Sequence, residues 1–149
     1  MTRPGLIITA GVLALLAPSV AVAETPEASA LAHNAAYEAA TKSGLSPQTL
    51  SEMLTCAAMW ERWDYAVISA ADPKFAGTLR RELSSANAKK RKIYWQRLAR
   101  REMNEDDDAA YFEKTRSRTE ESADKLYAAY ATNDAAGTSR LIEWLGICK

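Results

Sequence analysis

From Thr25 onward apolar residues recur every three to four positions, and no run of alternating β-branched residues interrupts them. That is the pattern of helices, and Ala, Glu, Lys, Arg and Leu, all good helix formers, are abundant. Thr25-Pro26 reads as an N-cap followed by a first-turn proline, and Gly44 closes the resulting helix near Ser43. Ser46-Pro47 repeats the signal and predicts a second helix running to about Ala70. Asp72-Pro73 gives it a third time, ahead of Phe75, Leu79 and Leu83 at spacings of four.

Continuing that third helix would place Lys90 and Arg97 on the apolar face and turn Trp95 and Leu98 away from it. A break is therefore expected at residues 84–87, with a new helix from about Ala88 to Met103. Residues 104–108 then start a helix reaching Ala131, and Asn133-Asp134 or Thr138-Ser139 caps a short last one carrying Leu141, Trp144 and Leu145. The fold class that follows is all-α, a small antiparallel bundle of about five helices.

Two charges violate the wheels. In the second helix Met53, Cys56, Trp60, Trp63 and Val67 form the apolar stripe, and Asp64 falls inside it. In the helix after residue 108 the stripe is Phe112, Thr119, Ala123, Leu126 and Tyr130, with Arg116 at a position where an apolar residue belongs. A charge removed from water costs several kcal/mol unless a partner compensates it. The shared anomaly predicts that Asp64 and Arg116 approach each other as a buried pair or line one polar cavity. The surrounding aromatics Trp60, Trp63, Trp95, Trp144, Tyr65, Tyr111, Tyr127 and Tyr130 could line such a pocket or simply form the core. Glu61, three residues before Asp64, offers a second carboxylate but no acid–base partner set.

The N-terminus has a different character. Arg3 precedes an apolar run over residues 6–17, Pro18 breaks it, and Ala21-Val22-Ala23 supplies small residues at −3 and −1 of a cleavage site after Ala23. The run is far short of the roughly 20 residues of a membrane-spanning helix. Residues 1–23 therefore read as a cleaved signal peptide and residues 24–149 as one helical domain, soluble in the periplasm or outside the cell. In that oxidising setting Cys56 and Cys148 are expected to form one structural disulfide enclosing 91 residues. The chain-entropy model gives such a bond an upper value of roughly 4–5 kcal/mol.

Nineteen basic and nineteen acidic residues leave no net charge to argue for nucleic acid. The charge is segregated, however. Basic residues crowd the stretch ending in Lys89-Lys90-Arg91-Lys92, Arg97, Arg100 and Arg101, and acidic ones follow in Glu105-Asp106-Asp107-Asp108 and beyond. The simplest expectation is a hairpin in which the two helices neutralise each other. The sharper ones are an anionic ligand, such as a lipid headgroup or cell-wall polymer, on the basic stretch, or calcium on the acidic run, although the run lacks the ligand alternation and turn glycine of an EF-hand loop.

Catalytic signatures are missing. Ser122-Ala-Asp-Lys125, Ser85-Ala-Asn87 and Lys42-Ser43-Gly44 imitate the three motifs of penicillin-recognising serine enzymes, but in reverse order and with no strand for the third. No catalytic residue, cofactor site or metal site is assigned, and His33, the lone histidine, reads as an exposed residue of the first helix with Tyr37 one turn on. Two functions remain: a non-enzymatic interaction module of the cell envelope that binds another protein, or a bundle that binds a small molecule or lipid between its helices.

Overall fold

The computed structural model describes residues 24–103 and 108–149; the expected signal peptide and acidic residues 105–107 lie outside them. Among the described residues six α-helices form a bundle: α1 (Pro26–Thr41), α2 (Leu50–Ile68), α3 (Pro73–Thr78), α4 (Ser85–Arg101), α5 (Ala109–Ala131) and α6 (Ala135–Ile147), with a 3-10 turn over Arg81–Leu83. No strand occurs among the described residues. The central helix is α2, which packs on α4, α5 and α6, while α1 packs on α6 and α3. Ten residues of α2 are buried, Trp60 and Trp63 completely.

Local signals placed most ends. Thr25 accepts from Ala28 N to cap α1, and Gly44 lies beyond its end with φ +72°. Asp108 and Asp134 cap α5 and α6 with their carboxylates. Three boundaries differ from the expectation: the start of α2, the end of α3 and the start of α4, which begins at Ser85 and not at about Ala88. Helix α2 starts at Leu50, not at Pro47, because Thr49 and Glu52 form a reciprocal capping box. The carboxylate of Glu52 also takes the N–H of Gln48, so the proline turn stays outside the helix.

The third helix ends five residues early, at Thr78. Asn34 of α1 causes this: its Nδ2 donates to Thr78 O at 3.0 Å, and its Oδ1 accepts from Arg80 N at 2.8 Å. Backbone groups that would have continued the helix are satisfied across the bundle instead. The chain then turns through Arg81–Leu83, leaving Leu83 fully buried, and Ser84 caps α4.

The Cys56–Cys148 disulfide is present, with Cα atoms 5.5 Å apart. It fastens the C-cap of α6 to the middle of α2, and the carbonyl of Cys148 accepts indole N–H bonds from both Trp60 and Trp95, each at 2.9 Å. Two close crossings seat α6 further. A Cβ on Gly146 would lie 2.3 Å from Ala40 Cβ, and one on Gly137 2.4 Å from Ala129 Cβ, so α6 meets α1 and α5 at distances only glycine permits.

Candidate functional site

Asp64 and Arg116 do not pair. Asp64 Oδ1 accepts from the Ser85 hydroxyl at the start of α4, and Oδ2 lies 4.0 Å from Lys89 Nζ. With 18% of its side chain exposed, it is held at the α2–α4 seam. Arg116 is 47% exposed and bonds within its own helix, to Glu113 at 2.7 Å and Glu120 at 3.9 Å. The buried stripe of α5 runs through Phe112, Thr115, Thr119 and Ala123, so Thr115 takes the inward position and Arg116 sits beside it. Arg116 does line a small cavity of about 80 Å³ between α2, α4 and α5, with Glu61, Gln96, Arg100 and Glu120 as its polar companions and Asp64 absent from the lining.

Residues 105–107 of the acidic run expected to face α4 lie outside the described residues; among those described, charges of α4 and α5 find their partners on α2. Lys92 bonds Glu61 of α2, Lys89 faces Asp64 of α2, and Arg62 of α2 bonds Asp124 of α5 at 2.9 Å. No ion pair links α4 to α5 among the described residues; both helices pack on α2, which carries their counter-charges. Among the described residues no other helix packs closely on the side of α4 away from α2. Lys90, Ile93, Tyr94, Arg97, Leu98 and Arg101 recur at helical spacing there and line a shallow groove of about 450 Å³. Ile93 and Tyr94 are 47% and 50% exposed, with cations on either side along the helix.

His33 is buried, at 8% exposure, not on the surface as its isolation in the sequence suggested. Trp63, Phe75 and Tyr130 surround it, with ring centroids 5.8, 5.3 and 5.7 Å away. Its Nδ1 lies 2.7 Å from Ser29 O, and its Nε2 is buried with no partner among the described residues. His33 and Tyr130 line a groove of about 520 Å³ between α1 and the junction of α5 and α6. Burial pushes the Tyr130 phenol up to about 12, so it is a hydrogen-bond donor at neutral pH. Nothing in the sequence pattern singled out this groove, because its walls come from three helices and its polar groups are a common mixture of Ser, Thr and Asn.

The motif mimics stay apart in function. Ser85 serves Asp64, Ser122 donates to Arg118 O, and Lys125 pairs with Glu121. Of the other aromatics, Trp60, Trp63 and Trp95 are core, while Tyr65 and Tyr111 are exposed. Among the described residues no cluster of three or more His, Cys, Asp or Glu could hold a metal ion, and no helix is long and apolar enough to cross a membrane. No protein-family model, curated protein or solved structure matches this chain.

Proposed function

We propose that this protein is an exported, non-enzymatic interaction module of the cell envelope that docks an acidic protein through the outer face of α4. The observation that carries the reading is the exposed pair Ile93 and Tyr94 set among Lys90, Arg97 and Arg101 on a helix whose opposite side is committed to α2. Tyrosine and arginine around a small apolar centre are the composition of protein interfaces. The apolar area of one isoleucine and one tyrosine is small for anchoring a helix in a bilayer, which favours a protein over a lipid surface. Export is supported by the signal-like residues 1–23 and by the disulfide, which persists in oxidising compartments.

The test places a photo-crosslinking amino acid at Tyr94 in the exporting cell. An adduct with an acidic protein that disappears in Arg97→Glu and weakens with salt supports the reading. An adduct indifferent to charge reversal, or binding only to phosphatidylglycerol vesicles, overturns it. The mass of the same protein tests export: it should correspond to residues 24–149 less the two hydrogens lost in forming the disulfide.

A further inference from the structure

The imidazole of His33 has one nitrogen satisfied and one not. Ser29 O can only accept, so Nδ1, 2.7 Å away, carries the hydrogen, and Nε2 of the neutral ring is a bare acceptor. That acceptor is buried without a donor. A buried polar atom left unpaired costs about 1–3 kcal/mol, and such an atom in a folded protein calls for an explanation. Its aromatic neighbours Trp63 and Phe75 offer only ring contacts here, because the indole N–H of Trp63 is already given to Leu83 O at 2.8 Å.

Beside it lies the groove of about 520 Å³, within the size range of small-molecule sites. Ala32, Ala36 and Ile142 supply apolar wall, and Ser29, Thr138 and Ser139 supply hydroxyl groups. Among the described residues no lysine or arginine side chain lines it, and Glu24, its one acidic residue, becomes the N-terminal residue with its α-amino group there if the chain is cleaved after Ala23. Tyr130 is the one ring neighbour of His33 that also lines the groove.

We infer that this groove is a binding site for a small molecule with an apolar body and one hydroxyl donor, which His33 Nε2 accepts once Tyr130 swings aside. The ligand class follows from the lining: an acceptor demands a donor, and alanine walls demand an apolar body. The site is remote from the α4 face in sequence and in packing, so its failure would leave the docking proposal standing.

Benzyl alcohol and toluene, matched in shape and differing in the hydroxyl, are the probes. The disulfide-bonded protein labelled with ¹⁵N-histidine is titrated with each while the His33 ring nitrogens are followed by NMR. Benzyl alcohol should shift the Nε2 resonance saturably and bind at least about tenfold more tightly than toluene, equivalent to about 1.4 kcal/mol. His33→Phe should abolish that preference. Ala32→Phe, a change at an exposed position, should fill the groove and abolish binding of both without lowering Tm, which keeps the test decisive if His33→Phe does not fold. Equal binding of the two probes, an Nε2 signal unmoved by benzyl alcohol on the order of 10 mM, or binding unaffected by Ala32→Phe would overturn the inference.

Discussion

Trp60 on α2 and Trp95 on α4 donate their indole N–H groups to the same oxygen, the carbonyl of Cys148. Each bond satisfies a buried donor, and the shared acceptor uses both of its lone pairs. Replacing either tryptophan by phenylalanine should cost about 1–3 kcal/mol from the lost bond and the smaller ring. The double variant should lose more than the sum, because the carbonyl is then buried with no indole donor. Urea unfolding of the three variants measures the coupling, and strict additivity would mean the two bonds are independent.

The disulfide adds a covalent tie at the same point. Cys56→Ser with Cys148→Ser should lower stability by up to about 4–5 kcal/mol under oxidising conditions, less whatever structure the unfolded chain retains. Equal urea midpoints for the oxidised wild type and the double variant would make the bond irrelevant to stability.

Adding one methyl group to α6 should be costly where it crosses α1. Gly146→Ala forces a Cβ into Ala40, with an expected loss of about 1–3 kcal/mol. Pairing it with Ala40→Gly removes the opposing Cβ and should recover part of that loss. Thermal melts of the single and double variants decide whether this contact, rather than glycine's backbone freedom, is what the position requires.

Acid should loosen the start of α2. The backbone N–H groups of Gln48 and Thr49 hold the Glu52 carboxyl below the usual carboxylate range, so its contribution is complete above the ordinary glutamate value and fades as pH falls through its lower folded value. Glu52→Gln should flatten that part of the stability–pH curve. Thr49→Ala, which removes the other half of the box, should cost about 1 kcal/mol at neutral pH.

Asp64 separates hydrogen bonding from charge. Asp64→Asn can still accept from Ser85 and should cost less than about 1 kcal/mol, whereas Asp64→Ala strands the Ser85 hydroxyl and should cost about 1–3 kcal/mol. Chemical denaturation of both variants checks the order; equal losses would show that the bond to Ser85 contributes nothing.

What the sequence made legible is what local chemistry decides. The ends of α1, α5 and α6, the apolar stripe of α2 and the cysteine pair were readable because caps, periodicity and compartment act on neighbouring residues. The early end of α3 was not, since Asn34 imposes it from 44 residues away in sequence. The start of α2 was written in Thr49 and Glu52, but Ser46-Pro47 carried an equally familiar signal, and only the competing hydrogen bonds of Glu52 settle which one operates. Asp64 and Arg116 misled together. A helical wheel places a residue at the edge of a stripe to within one position, and for Arg116 that position was the difference between the interior, taken by Thr115, and the surface. His33 was read as exposed for the opposite reason: a single histidine leaves no pattern, and its burial depends on aromatics from three other helices.

The acceptor at Cys148 also sets an order of events for a chain that emerges N-terminus first. Cys56, Trp60 and Trp95 all appear long before residue 148, and until then they have a thiol without its mate and two indoles without their oxygen. An emerging chain therefore stays short of its native core for most of its synthesis. Such a chain remains threadable until the segment forming α6 is available, which is the state that the proposed export requires.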